Sequence, residues 1–177
     1  KNPDTTLYGG TGVGSAGHLY TELFNKVTGT KMRRVDYKSS ADVQNDLIAG
    51  RVQLYFVTVA STLGQIKAGQ LRLIAYTNNS APKDAPKAPL LAEVGVPGFD
   101  EIGSWWGIFA PKGINPGILE KANKVINEAI VEPEFVNMFT LSSATAAPMS
   151  PTDFGKVLVI EVALTEKIIK DAGIKIE

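Results

Sequence analysis

A glycine-rich stretch, residues 9–17, is the feature that most constrains how this chain folds. It follows a short strand-like run at residues 5–8 and leads directly into a helical pattern. The apolar residues of that pattern share one predicted face: Leu19, Leu23, Phe24 and Val27. A strand, a glycine turn and a helix in immediate succession predict an α/β arrangement with the turn at an exposed edge.

The same stretch predicts an anion site. Glycines in a strand-to-helix turn let backbone N–H groups approach a ligand closely. The start of the helix behind them has unpaired N–H groups and a partial positive charge. Ser15 is placed to cap that helix with its hydroxyl, or to donate the hydroxyl to an anion. Phosphate or carboxylate is therefore the expected ligand, and a flexible turn without a ligand is the alternative.

The stretch also matches a dinucleotide-binding fingerprint through Gly12, Gly14 and Gly17. Asp36 ends the next strand-like run, about 20 residues further on, where a ribose-binding carboxylate is expected. An NAD(P)-dependent Rossmann enzyme is therefore an alternative function. The sequence shows no nucleophile–base pair and no matched pair of carboxylates, which favours a binding protein over an enzyme.

Charge and composition exclude several classes of function. The 18 basic and 18 acidic side chains cancel, which argues against a nucleic-acid partner. The chain has no cysteine, so disulfides, thiolate metal sites and cysteine nucleophiles are excluded. His18 is its one histidine, which excludes a multi-histidine metal site. We accordingly predict no metal and no cofactor.

Strand and helix patterns alternate through the first 77 residues. The strand-like runs are residues 5–8, 31–37, 53–57 and 71–77. The helical patterns are residues 15–28, residues 41–49 with Ser40 as the predicted N-cap, and a short one that ends at residue 67. This order with short connections predicts a Rossmann-like parallel sheet covered by helices. Ligands of such sheets bind outside the carboxyl ends of the strands, where the turns at residues 9–16, 36–40 and 57–61 are expected to meet.

A proline-rich loop, residues 78–98, separates this sheet unit from a more helical part of the chain. A fifth apolar strand is predicted at residues 104–110. Helices are then predicted at residues 116–129, 133–141 and 152–172. The change of composition predicts two parts, residues 1–103 and residues 104–177.

Seven stretches along the chain carry a family likeness: residues 8–19, 35–40, 46–53, 66–72, 89–99, 105–111 and 172–174. Taken together and in order, they resemble the Bug receptors. These are the extracytoplasmic, TctC-type solute-binding proteins of tripartite tricarboxylate transport systems. It implies a type II periplasmic-binding-protein fold. Residues 1–103 would be the second ligand-binding lobe, and residues 104–177 the hinge-return strand and the C-terminal helices of the hinge and other lobe. The N-terminal lobe would be absent from this chain.

The resemblance also implies a function. It indicates a periplasmic or extracytoplasmic receptor that closes on a small-molecule carboxylate and delivers it to the membrane components of a tripartite transporter. It implies no enzymatic activity. The missing N-terminal lobe, or a second copy of this chain, would complete the ligand cage. A truncated, domain-swapped fragment without a ligand is the alternative.

By the same resemblance, the loop that begins at Thr11 contacts the ligand carboxylate through N–H groups and hydroxyls. The predicted ligand-binding residues are Thr11, Gly12, Gly14, Ser15, Ala16, His18, Val57 and Thr58. For His18, a neutral capping or packing role is the alternative. Val57 stands where the family commonly has aspartate, which implies a preference for a less polar or aromatic acid.

Overall fold

The computed structural model describes residues 5–78, 84–99, 105–141 and 144–174. The chain forms two compact units: unit 1 comprises residues 1–102 and 165–177, and unit 2 comprises residues 103–164. Three features expected from the sequence lie outside the described residues. They are the boundary between residues 103 and 104, residue 104 at the start of the fifth strand, and residues 79–83 of the proline-rich loop.

Unit 1 is built on a short parallel sheet. Strand β1, Leu7–Gly10, pairs with β2, Arg33–Asp36, so that Leu7 lies opposite Arg33. The third strand-like run hydrogen-bonds to the other edge of β1, where the Gln53 N–H donates to the Leu7 carbonyl at 2.8 Å and the Gly9 N–H to the Leu54 carbonyl at 3.0 Å. The predicted parallel α/β arrangement is therefore present, with β1 in the middle.

Six α-helices lie within the described residues. They are α1 (Ala16–Thr28), α2 (Ser40–Ile48), α3 (Leu63–Lys67), α4 (Pro116–Ala129), α5 (Pro133–Leu141) and α6 (Pro151–Ala172). Two short 3₁₀ turns, Val59–Ser61 and Ala92–Val94, lie between α2 and α4. A Cβ added to Gly9 would lie 2.1 Å from Cγ1 of the fully buried Val43, so α2 packs on β1 more closely than any other residue there would allow.

The strand predictions beyond β2 are only partly realised. The run at residues 53–57 makes a single bridge, between Leu54 and Tyr8, and the run at residues 71–77 makes one between Tyr76 and Leu90. Residues 105–110 form no strand. An apolar pattern indicates extended backbone, but a strand also needs a partner along its length. The chain leaves the edge of β1 after Leu54, and the described residues offer no ladder to continue it.

Local capping fixes where the helices begin. Ser39, not Ser40 as predicted, caps α2: its Oγ accepts from the Asp42 N–H at 3.2 Å and donates to the Asp42 carboxylate at 2.7 Å. Such a reciprocal pair requires an acidic residue three positions after the serine. Ser39 has Asp42 at that spacing, whereas Ser40 has no acidic residue there. Asn115 caps α4 ahead of Pro116 by accepting from the Gly117 N–H at 2.9 Å, as the sequence predicts.

The buried face of α1 is polar, which the apolar periodicity did not predict. Its buried residues are Gly17, His18, Thr21 and Asn25. Thr21 donates to the Gly17 carbonyl at 2.7 Å, while Asn25 pairs with both backbone groups of Met32 at 3.0 and 3.1 Å. Polar side chains are tolerated here because each has a hydrogen-bond partner. Val27, which was expected on the inner face, is exposed.

Unit 2 contains α4, α5 and the first part of α6. Trp105, Phe109 and Phe154 form an aromatic cluster with ring centroids 5.4–6.4 Å apart. Asn123 and Asn127 on α4 each donate to the Met149 carbonyl at 3.0 Å, which ties the segment before α6 to α4.

Candidate anion site at the start of α1

The loop between β1 and α1 has the backbone conformation that its glycines permit. Gly12 has φ +124° and Gly14 has φ +79°, both in the region that favours glycine. The Ser15 N–H donates to the Gly12 carbonyl at 3.3 Å and closes a tight turn. A Cβ at Gly12 or Gly14 would have no heavy atom within 4 Å, so these glycines are required by backbone geometry and not by crowding.

The start of α1 has N–H groups available to a ligand. Ser15 is the N-cap, and its Oγ accepts from the His18 N–H at 3.4 Å. The N–H groups of Ala16 and Gly17 donate no hydrogen bond to any described residue. Gly14 and Ala16 are exposed, Ser15 is half-buried and Gly17 is buried, so Ala16 carries the unpaired N–H at the solvent-facing end of the helix. Unpaired amides at a solvent-facing helix start are the physical requirement for binding an anion.

His18 lies on the protein side of the loop. It is only 7% exposed, and its Nδ1 accepts a hydrogen bond from the Gly14 N–H at 3.0 Å. An Nδ1 that accepts must be unprotonated, so the neutral ring carries its hydrogen on Nε2. Burial is the main cause that lowers the pKa of His18, and the Arg34 charge adds to it. The neutral packing role and the proximity to the loop are both realised.

A polar cluster lies behind His18. The Tyr8 hydroxyl donates to the Glu22 carboxylate at 2.6 Å, and Glu22 lies one helical turn after His18 on α1. Burial, and then this hydrogen bond, raise the pKa of Tyr8 far above its ordinary range. Tyr8 and Glu22 are not among the site residues predicted from the sequence. The i, i+4 spacing of His18 and Glu22 was the available signal, because such residues share a helix face.

Asp36 is engaged by a neighbouring side chain. Its carboxylate accepts from Arg34 Nε at 2.9 Å and from Arg34 Nη2 at 3.1 Å, which is a two-point ion pair. The carboxylate that the dinucleotide hypothesis assigns to a ribose is therefore already paired with a cation. This arrangement favours a structural role for Asp36 at the end of β2.

The three turns that the sequence places at one edge of the sheet meet around α1. The Tyr37 N–H donates to the Gly10 carbonyl at 2.9 Å, which joins the turn after β2 to the end of β1. A Cβ on Gly17 would lie 3.2 Å from the Phe56 carbonyl oxygen and 3.4 Å from the Tyr55 ring. The Tyr55 hydroxyl in turn lies 3.0 Å from Ser40 Oγ at the start of α2. The third run therefore reaches the first turn of α1.

The third turn, which comes directly after Phe56, holds two predicted site residues, Val57 and Thr58. Val57 comes directly after Phe56 and is half-buried. Thr58 is exposed, and its carbonyl accepts from both the N–H and the hydroxyl of Ser61, at 3.1 and 2.8 Å. The loop residues Thr11, Gly14 and Ala16 are exposed, whereas Gly12 and Ser15 are half-buried. That these residues contact a ligand stays a prediction.

Two general properties bear on function. Across residues 5–78, 84–99, 105–141 and 144–174, no three histidine, aspartate or glutamate side chains are grouped as metal ligands would be. None of the helices described for these ranges has the length and apolar character needed to cross a membrane.

Comparison with known proteins places the chain in a family. Residues 1–174 match the family described as "Tripartite tricarboxylate transporter family receptor". BugT of Bordetella pertussis is 29% identical over 175 residues, which cover 99% of this chain and 53% of BugT. A protein from a Pseudomonas species, described as a "UPF0065 protein in tcbD-tcbE intergenic region", is 30% identical over 96% of this chain and 50% of its own length. The chain spans about half the length of the curated relatives it matches.

Solved structures agree in fold. The structure of an R. palustris protein with adipate superposes with a TM-score of 0.84 at 32% identity, over 96% of this chain and 56% of that one. The periplasmic binding protein BugD has a TM-score of 0.86 at 26% identity, over 98% of this chain and 58% of BugD. The predicted periplasmic-binding-protein fold is thereby confirmed. The chain belongs to the tripartite tricarboxylate transporter receptor family.

Proposed function

We propose that this chain binds a small organic acid by its carboxylate, as one part of a solute receptor for a tripartite tricarboxylate-type transport system. The observation that carries the proposal is the unpaired N–H group of exposed Ala16, at the solvent-facing start of α1. The family assignment and the adipate bound by the R. palustris relative support a carboxylate over a phosphate. Binding, not catalysis, is the activity we propose.

The chemistry of the loop is sufficient for this task. Hydrogen bonds to a charged group contribute roughly 1.5–3 kcal/mol each. The Ala16 N–H and the hydroxyls of Ser15 and Thr11 could therefore hold one carboxylate without an arginine. If Val57 also faces the ligand, as we propose, its apolar side chain favours a ligand whose remaining part is less polar.

The remaining components of the receptor follow from the family. We propose that residues 1–103 act as the second ligand-binding lobe and that residues 104–177 supply hinge and C-terminal elements. A lobe from outside this chain, or a second copy of it, would close over the ligand. The membrane components of the transporter would receive the loaded receptor in the periplasm.

Ser15 offers a matched pair of variants to test the anion site. Aspartate and asparagine are both good N-caps, so Ser15→Asp and Ser15→Asn should leave α1 equally stable. Only aspartate places a negative charge where the carboxylate binds. A like charge at about 4 Å costs enough to weaken adipate binding by on the order of 100-fold or more.

The measurement is calorimetric titration of adipate and other mono- and dicarboxylates into the receptor that contains this chain. Ser15→Asn loses the hydroxyl donor and should bind roughly tenfold more weakly than wild type. Ser15→Asp should bind on the order of 100-fold more weakly than Ser15→Asn, because only aspartate adds a like charge. Equal affinity of the Asp and Asn variants would show that the carboxylate binds elsewhere.

A further inference from the structure

Ser15 and His18 form a reciprocal pair at the start of α1. The Ser15 side chain accepts from the His18 backbone N–H at 3.4 Å, and the His18 side chain accepts from the Gly14 backbone N–H at 3.0 Å. This is the spacing of a capping box, in which a residue three positions after the N-cap folds back to bind an N–H group at the helix start. Here the returning acceptor binds Gly14, one residue before the N-cap.

The acceptor in a capping box is usually glutamate or glutamine. A glutamate at this position would place a negative charge at the end of the helix that is proposed to attract a carboxylate. A neutral imidazole accepts the same kind of hydrogen bond without that charge. The loop can then be fixed while the positive end of the helix dipole stays available to an external anion.

The backbone of Gly14 needs a contact that fixes its conformation. It is exposed, its φ is +79°, and no side chain surrounds the position of its missing Cβ. A glycine with this freedom is held only by its backbone hydrogen bonds. Among the described residues, the Gly14 N–H donates to His18 Nδ1. His18 itself is buried. It lies on the same face of α1 as Glu22, whose carboxylate accepts a hydrogen bond from the Tyr8 hydroxyl.

We propose that His18 is a positioning residue: its neutral ring fixes Gly14 and so orders the anion loop, without adding a negative charge that would compete with the ligand. It acts through Gly14 and does not contact the carboxylate. The charge part of this inference rests on the proposed function. The positioning part does not.

Three substitutions separate the two parts. His18→Asn keeps an acceptor at the position of Nδ1 and stays neutral. His18→Asp keeps the same geometry and adds a negative charge. His18→Leu keeps the bulk of the side chain and removes the acceptor. Should aspartate unfold the chain, His18→Glu supplies the charge in the form that capping boxes ordinarily use.

The first measurement needs no ligand. A nitrogen–nitrogen coupling across the hydrogen bond between Gly14 and His18 Nδ1 should be present in the wild type. Hydrogen exchange of the Gly14 amide should be slow in wild type, His18→Asn and His18→Asp, and roughly tenfold faster in His18→Leu. Unchanged Gly14 exchange in His18→Leu, with the fold retained, would overturn the positioning role even if the wild type binds adipate.

The second measurement is adipate titration of the same variants in the receptor at pH 8, where the introduced aspartate is ionised. His18→Asn should bind within about threefold of wild type, and His18→Asp at least roughly tenfold more weakly than His18→Asn. Equal binding by these two variants would overturn the charge argument. Failure of the wild type to bind any carboxylate would instead overturn the proposed function, and the Gly14 exchange result would still decide the positioning role.

Discussion

Units 1 and 2 differ sharply in how they treat apolar side chains. Among the described residues, every buried hydrophobic side chain belongs to unit 1: Tyr8, Met32, Val43, Val52, Leu91, Val96, Phe99 and Ile168. Unit 2 instead carries large apolar side chains that are mostly exposed, among them Trp106 at 76% and Ile108 at 72%. Unit 1 therefore has its own core, whereas unit 2 is held by local caps, one aromatic cluster and amphipathic helices.

The difference teaches that regular helices do not require a completed core. Helix α4 begins at Pro116, with Asn115 as its N-cap. Helix α6 begins directly after Ser150, whose Oγ accepts a hydrogen bond from the Asp153 N–H at 3.0 Å. These signals are local and act wherever the chain is placed. An exposed apolar patch of this kind is typical of a surface that contacts another chain or segment.

The largest expected effect tests whether burial decides stability in the two units. Phe99 is fully buried and stacks on Phe56 with ring centroids 5.8 Å apart. Phe99→Ala should lower the free energy of unfolding by about 3–5 kcal/mol, because it leaves a cavity. The matched change in unit 2, Ile108→Ala, should alter it by less than about 0.5 kcal/mol. Urea denaturation measures both, and a comparable loss in the two variants would show that unit 2 is covered in solution.

A second pair of variants tests how each unit accommodates an added methyl group that overlaps a neighbouring side chain. A Cβ on Gly9 would lie 2.1 Å from Val43 Cγ1, and one on Gly107 would lie 2.3 Å from Phe154 Cζ. Gly9→Ala should cost about 1–3 kcal/mol, since buried Val43 has no space to move into. Gly107→Ala should cost less than about 1 kcal/mol, because the half-buried Phe154 ring can rotate toward solvent. Thermal or urea unfolding compares them, and a greater loss from Gly107→Ala would reverse the interpretation of unit 2 as loosely packed.

The smallest effect is a pH dependence that should arise only in unit 1, which holds the single histidine. Burial and then Arg34 lower the pKa of His18, while Glu22 and Asp36 act in the opposite direction. As the pH falls through about 6.5 the unfolded chain gains a proton that the folded chain does not. The free energy of unfolding should therefore decrease from pH 7 toward pH 5, and level off below the folded-state pKa.

His18→Asn is the control for this prediction, because asparagine does not titrate. The lowered pKa values of Asp46, Asp84 and Asp153 place their effects below this pH range. The slope of wild type between pH 7 and pH 5 should thus be absent in His18→Asn. An equal slope in both proteins would show that His18 is not its source.

Much of the fold could be predicted from the sequence because its signals are local. Ser15, Asn115 and the glycines after α1 and α6 mark the helix ends, and the structure places those ends within one residue of the prediction. The strands beyond β2 were overestimated. Leu71–Ala75 has the composition of a strand, but strand formation depends on a partner distant in the chain, and composition does not encode that partner.

The candidate site was predicted in outline. The glycine loop, the Ser15 cap and the meeting of three turns follow from the order of strands and helices. The polar inner face of α1 was missed, because periodicity weighs apolar residues and ignores polar ones that find partners. Ligand contact by Thr11, Gly12, Gly14, Ser15, Ala16, Val57 and Thr58 remains a prediction, whereas His18 is proposed to act through Gly14.

By itself, the sequence determined the glycine turn, the helix caps and the order of elements, since each depends on residues within a few positions of one another. Only the tertiary structure decided that His18 turns inward to accept from Gly14, that Glu22 meets Tyr8, and that Asp36 is paired with Arg34. The contacts of α1 depend on how closely it packs on β1 and the third run, where a Cβ on Gly17 would lie 3.2 Å from the Phe56 carbonyl oxygen and 3.9 Å from that of Gly9.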